Sequence, residues 1–267
     1  MGKVHLGLLA AAGAMLAAGF ATTTLAADDK MYRSDDRNSG YTYLTPQSKA
    51  MQDEDISNPG MIWVDEGAAL YEKVDGEAGK SCKACHGKAE VAMKGVATTF
   101  PKYDDNIKKI KNIETQVNMC RKKHMKAKPW KYESSQLLAM TVFIRHQSRG
   151  MPMNVSVDGP AVKFFQDGEK FFNQRRGSLD LACKHCHQDH AGKKARANLL
   201  TQGQTNGFPT YRLKWQKVGS THRRFRGCNK NVRATPYKYA SDEYMNLELY
   251  VAWRGRGLPV ETPAVRN

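Results

Sequence analysis

Cys183-Lys184-His185-Cys186-His187 is a CxxCH motif, and Cys82-Lys83-Ala84-Cys85-His86 is a second copy a hundred residues upstream. In this pattern two thiols add to the vinyl groups of a porphyrin, and the histidine that follows ligates the iron from the proximal side. A zinc half-site or a thioredoxin-like thiol pair also uses CxxC, but neither requires the trailing histidine. Two copies therefore predict a dihaem cytochrome c. Cys82, Cys85, Cys183 and Cys186 are the expected attachment points of two covalent haem c groups, with His86 and His187 as axial iron ligands.

Around the motifs the chain repeats itself. Gly67 and Gly168 each lie fifteen residues before the first motif cysteine, Leu70-Tyr71 matches Phe171-Phe172, and Gly76 matches Gly177. Downstream, Phe100-Pro101-Lys102-Tyr103 recurs as Phe208-Pro209-Thr210-Tyr211, and nineteen residues after each proline stands a lone cysteine, Cys120 or Cys228. Leu137, Met140 and Ile144 correspond to Tyr244, Leu247 and Val251, the i, i+3, i+7 stripe of a helix with one buried face. Ser134 and Ser241 are the expected N-caps. Both helices stop at the same signal, Arg149-Gly150-Met151-Pro152 and Arg256-Gly257-Leu258-Pro259, where glycine ends the helix and proline prevents its continuation.

Helix, haem motif, irregular loop and closing helix follow one another in the order of small class I cytochromes c. The expected fold is mainly α, two tandem class I cytochrome c-like domains related by internal duplication, each wrapped around one haem. The first domain is expected over 61–157 and the second over 158–267, preceded by an extended arm or linker over 27–60. Residues 1–26 read as a secretory leader, with an apolar Leu6–Phe20 run and a small-x-small cleavage site at Thr24-Leu25-Ala26. The apolar run is short for a membrane span. A periplasmic location without membrane insertion follows, as c-type attachment requires.

The chain carries 42 Lys and Arg against 26 Asp and Glu, a formal charge of +16. Such a balance attracts anions or an acidic partner surface. Nucleic acid is excluded by the expected address and the haems. No Gly-rich phosphate loop, Ser-His-Asp arrangement or coiled-coil heptad is present.

The second axial position is read from the repeat. No methionine beyond the haem motifs occupies equivalent places in both halves, whereas Cys120 and Cys228 do, and a thiolate is a competent iron ligand. A mutual Cys120–Cys228 disulfide is the alternative, and His124 and His222 compete as ligands without being repeat-equivalent. The halves then diverge. His222, Arg224 and Arg226 precede Cys228 where Glu114, Gln116 and Asn118 precede Cys120. Arginines near a thiol enrich the thiolate and gather a small dianion, which makes Arg224 and Arg226 candidates for substrate binding and Cys228 the candidate catalytic residue. A solvated basic loop is the plainer reading, since Arg121 and Lys122 also follow Cys120.

On its signal segment, its two CxxCH motifs, Cys120 and the run Arg223-Arg224-Phe225-Arg226-Gly227-Cys228, the chain resembles the SoxA family, dihaem subunits of thiosulfate-oxidising cytochromes. Some members of that family lack the first haem motif; this sequence keeps it. The resemblance implies an L-cysteine S-thiosulfotransferase that oxidatively joins thiosulfate to a cysteine of the carrier SoxYZ. It implies a heterodimer with the monohaem cytochrome SoxX and a small cytochrome c as electron acceptor. It implies Cys228 as nucleophile and distal haem ligand, found in the family as a persulfide. Arg224 would bind substrate, and Cys120 would be distal ligand opposite His86. A non-catalytic dihaem electron carrier resembling cytochrome c4 explains the motifs and the duplication equally well, but not the paired cysteines or the one-sided arginines. A dihaem peroxidase is a weaker third reading, since it needs an open iron position.

Overall fold

Helix α2 (Met61–Glu72) packs on α6 (Ser135–His146), and α7 (Ala161–Asn173) packs on α10 (Asp242–Arg254), one such pair in each half of the chain. The computed structural model describes residues 1, 2 and 36–267. Apart from Met1 and Gly2, the expected leader lies outside the described residues, as does the start of the expected arm. The repeated glycines explain how closely the helices of each pair approach. A Cβ on Gly67 would stand 2.3 Å from the Ala139 carbonyl oxygen, and one on Gly168 would stand 2.1 Å from that of Asn246. Helix backbone on helix backbone tolerates only hydrogen there.

Ser134 and Ser241 cap α6 and α10 as expected, each accepting from the backbone N–H three residues on at 3.4 Å. The apolar stripes understate the burial. Every residue from Leu137 to Arg145 is buried, because α5 (Ile113–Cys120) covers α6 on a side that α2 leaves open. Helix α10 is enclosed in the same way by α7, α9 (Thr221–Asn231) and strand β2 (Lys109–Lys111).

The first half carries an antiparallel hairpin, β1 (Lys102–Asp104) with β2, in which Tyr103 faces Ile110. Its counterpart is β5 (Thr210–Arg212) with β6 (Lys217–Gly219), extended by a parallel strand β7 (Ala264–Arg266). The second half alone adds a short hairpin, β3 (Lys194–Ala195) with β4 (Asn198–Leu199). The Phe100–Pro101 and Phe208–Pro209 bonds are both cis.

Where the halves meet, equivalent residues meet each other, as they do across a two-fold axis. Pro152 and Pro259 form an antiparallel bridge, with Gly150 N–H donating to Val260 O at 2.9 Å and Met153 N–H to Leu258 O at 2.9 Å. The two helix-stop signals are thus also the seam between the halves. Tyr132 stacks on Tyr239, its counterpart, with ring centroids 5.3 Å apart.

The expected extended arm is folded instead. Pro46–Asp53 forms helix α1, started by Thr45 and proline at its first turn, and packs on β7. Gln52 Oε1 accepts from Val265 N–H at 3.1 Å, and Asn58 Nδ2 donates to Pro263 O at 2.8 Å. Its polar side chains are spent on satisfying an edge strand far away in sequence. Among the described residues no helix is long and apolar enough to cross a membrane.

Candidate active site

Each CxxCH motif forms a single helical turn, α3 (Cys82–His86) or α8 (Cys183–His187), so that both thiols and the histidine project from one short rigid piece. Each turn is approached through a left-handed glycine, Gly76 at φ +74° and Gly177 at φ +68°. A Cβ there would lie 2.1 Å from Met125 O and 2.0 Å from Val232 O respectively, which ties the motif to the segment following each lone cysteine. The repeat offset is 108 residues at Cys120 and Cys228 but 107 at Met125 and Val232. The additional residue in the first half is absorbed by a π-helical turn, Arg121–Met125, directly after Cys120, the usual outcome of inserting one residue into a helix.

In the first half Cys120 closes α5, and Gln116 Nε2 donates to its Sγ at 3.1 Å. Cys120 lies close enough to Cys82 for their charges to interact, and Cys82 is pushed up by burial first and by Cys120 next. Arg121 does not serve this site. Its guanidinium is buried, bound to Asp75 Oδ2 at 2.8 Å and Lys128 O at 2.9 Å, and stacked 3.7 Å over Trp130. His86, Lys122 and His124 are exposed.

In the second half the His187 ring is held through Nδ1, 2.8 Å from Thr201 O, while Gly203 at φ +78° lets the loop press on the imidazole. A Cβ on Gly203 would sit 3.0 Å from the ring. The His187 side chain hydrogen-bonds Cys228, which comes from the middle of α9. Burial pushes the Cys228 thiol up, and that is the largest single effect. The Arg224 charge, the His187 hydrogen bond and the Arg212 charge together overcome it and bring the thiol down to about 6. The attachment thiol Cys183 goes the other way, to about 12, through burial and then the neighbouring Cys228 charge. The surrounding positive charge thus favours the thiolate at Cys228, whereas burial disfavours it at Cys183 and Cys186 before any haem is attached.

Arg224 and Cys228, four apart, share a face of α9. Arg226, two residues from the cysteine, points to the other side. Its Nη1 donates to Tyr237 O and its guanidinium lies 4.8 Å from the Tyr239 ring. The expectation that Arg226 binds substrate is corrected by this placement. The cation that joins Arg224 instead is Arg212, at the end of β5, which the reading of the segment before Cys228 missed. Its signal was present in the repeat, since Arg212 stands where the first half has Asp104. His222 is fully buried at the seam, Nδ1 accepting from Ala240 N–H at 3.0 Å and Nε2 3.0 Å from Glu248 Oε2. It is committed to that network rather than to an iron.

No disulfide joins any two of the six cysteines, so the fold does not form the alternative Cys120–Cys228 pair. The donor set fits haem c in each half: two thiols one turn apart, a histidine beside them, and a further sulfur from another helix. The aromatic wall of the second pocket, Phe225 and Tyr237 packed with Cys183 against Phe171 and Tyr244, suits an apolar macrocycle.

Residues 66–153 and 167–260 match a family model described as the SoxA/TsdA cytochrome c domain. The L-cysteine S-thiosulfotransferase subunit SoxA of Pseudaminobacter salicylatoxidans is 43% identical over 245 residues, 91% of this chain and 86% of that protein. The subunit of the same name from Rhodovulum sulfidophilum is 41% identical over 235 residues, 88% of this chain and 82% of its own length. The crystal structure of SoxXA from P. pantotrophus superposes with a TM-score of 0.83 at 39% identity, covering 86% of each chain. These matches bear out the expected fold class, mainly α with two tandem cytochrome c-like domains.

Proposed function

The chain belongs to the SoxA/TsdA cytochrome c family, and from that premise we propose that it is a periplasmic dihaem L-cysteine S-thiosulfotransferase of the SoxA type, working with a SoxX-type cytochrome and a SoxYZ-type carrier. Its two catalytic-cytochrome domains span 61–157 and 158–267, and the chemistry belongs to the second. The observation that carries this reading is the meeting of Cys228 with His187 under the Arg224 charge, for which the first half offers only a neutral glutamine beside Cys120.

Thiosulfate is a dianion whose outer sulfur must be joined to a thiol with loss of two electrons. In the overall step the carrier S–H bond breaks, one S–S bond forms, one proton is released and two electrons pass to a small cytochrome c. Haem c would be held by Cys82, Cys85 and His86 in one half and by Cys183, Cys186 and His187 in the other, and would supply one-electron acceptor chemistry beside the sulfur. Cys120 and Cys228 would each offer it a further sulfur ligand. Arg224 draws thiosulfate to Cys228 and holds it there. The Cys228 thiolate bonds to the outer sulfur of thiosulfate as two electrons leave, and the carrier thiolate then attacks that same sulfur, displacing Cys228. Covalent capture divides one hard step into two easier ones.

Incubating the haem-loaded complex with thiosulfate, ferric cytochrome c and a carrier protein with one reactive cysteine tests this reading. The carrier cysteine should gain one thiosulfate group for every two cytochromes reduced. Cytochrome reduction with no mass added to the carrier would reject it.

A further inference from the structure

We propose that the exposed lysines beside the first haem motif, Lys122, Lys123, Lys126 and Lys128 above all, form the docking face for an acidic surface of the small cytochrome c that takes up the electrons. The inference rests on the proposed reaction, in which two electrons leave for that acceptor. Each docked ferric cytochrome takes one electron, so two dockings accompany each thiosulfate joined. The halves then divide the labour, anion capture in the second and acceptor docking in the first.

The repeat separates this face from the general basicity of the chain. Lys122 and Lys126 correspond to Lys230 and Arg233, but Lys123 and Lys128 correspond to Asn231 and Thr235. On the motif side Lys80 and Lys88 correspond to Leu181 and Asp189. All six lysines are exposed. The two stretches adjoin, since Ala78 N–H donates to Met125 O at 3.1 Å and Asp75 N–H donates to Lys80 O at 3.0 Å. Their nearest carboxylates are committed elsewhere. Asp75 Oδ2 accepts from buried Arg121 Nη2 at 2.8 Å, and Glu72 pairs with Lys83 at 2.7 Å. Among the described residues none of the six lysines has a carboxylate at salt-bridge distance, and Glu77 and Glu90 are too few to offset them.

The motif beside this face is the one at the surface. Lys83 to His86 are exposed, whereas Cys183 to His187 are half-buried. The difference is an insertion. Phe208 stands twenty-one residues after His187, but Phe100 only fourteen after His86. The added length carries β3, β4 and the loop that presses on His187, and the first half has no such cover. Cys85 and His86, two of the three groups that would hold the first haem, thus lie where a second protein reaches them. A face of one sign raises association rates by about 10- to 1000-fold and repels partners of the same sign. Lysines are flexible point charges without the rigid fork of arginine, which suits a partner that must arrive and leave for each electron.

The test uses the haem-loaded complex and two ferric cytochromes c of opposite net charge. Calorimetric titration of the oxidised complex with the acidic cytochrome should show binding that weakens as salt shortens the screening length from about 10 Å at 0.1 M to about 3 Å at 1 M. Lys122→Glu/Lys123→Glu/Lys128→Glu should abolish that binding and lower kcat/KM for the acidic cytochrome at low salt by about tenfold or more, while reduction of the basic cytochrome speeds up. With ferrocenium methanol as oxidant, which needs no docking face, thiosulfate transfer to the carrier should keep its wild-type rate. Lys122→Arg/Lys123→Arg/Lys128→Arg should keep wild-type binding, and haem content and the thermal midpoint separate these effects from misfolding. Unchanged binding and kcat/KM in the charge-reversed variant, or a loss that falls on the KM for the carrier instead of the cytochrome, would overturn the docking face. Salt-sensitive binding by a wild-type complex that joins no thiosulfate to the carrier with either oxidant would leave the face standing and reject the proposed reaction.

Discussion

Gln116 and Arg224 occupy the same place in the two halves, four residues before Cys120 and Cys228 on equivalent helices. Gln116 gives its cysteine a neutral hydrogen bond of 3.1 Å, whereas Arg224 gives its cysteine a full positive charge. This exchange is the largest of the charge differences acting on the two sulfurs. Arg224→Gln gives the second helix the neutral residue of the first. Steady-state cytochrome reduction should then need about ten- to hundredfold more thiosulfate, the equivalent of one charge-assisted contact of roughly 1.5–3 kcal/mol.

The close crossing of α7 and α10 depends on Gly168. Alanine is the better helix former by about 1 kcal/mol, so an unconstrained site would gain stability. Here the added methyl would stand 2.1 Å from Asn246 O and 2.9 Å from Tyr250 Cβ. Gly168→Ala should therefore lower stability by about 1–3 kcal/mol, as overpacking does, visible as a fall of several degrees in the thermal midpoint of the haem-loaded protein.

Glu114 is buried at the seam between the halves and held above the ordinary carboxylate range, at about 8, by burial first and by the Glu248 charge next. Its folded value exceeds its unfolded value of about 4.5, so its contribution is complete below that pH and lost as pH rises through the folded value. Thermal stability should decline between about pH 4.5 and 8 on this account. Glu114→Gln, which keeps the shape without the ionisation, should flatten that decline, and an unchanged slope would count against the assignment.

Two haem c groups per chain are expected from α3 and α8. Intact mass of the mature protein should equal the apoprotein plus two haems, with any further sulfur on Cys228 visible in the same spectrum. In a Cys82→Ala/Cys85→Ala variant one haem should be lost and the second retained. A wild-type mass with one haem would contradict the assignment of the first site.

Much of this architecture was legible because its determinants are local. CxxCH makes its own helical turn, Ser134 and Ser241 cap the helices they precede, and the paired glycines mark helix contacts and left-handed turns. Arg226 was misread because nearness along the chain was taken for nearness in space. Two residues along a helix is just over half a turn, and that periodicity already argued for Arg224 alone. Arg212 was hidden for the opposite reason, sixteen residues from Cys228 on a strand, yet the change from Asp104 to Arg212 within the repeat pointed to it. The docking of α1 on β7 and the Pro152–Pro259 seam have no local signature. They arise from backbone groups finding partners across most of the chain.

The central claim is that Cys228 performs the sulfur chemistry while taking no part in haem attachment. Thiosulfate-dependent reduction of cytochrome c by the Cys228→Ala protein, purified in its complex and shown by mass to carry both haems, tests it most directly. The account predicts that reduction is abolished. Reduction at close to the wild-type rate would contradict it and favour a dihaem protein that only carries electrons.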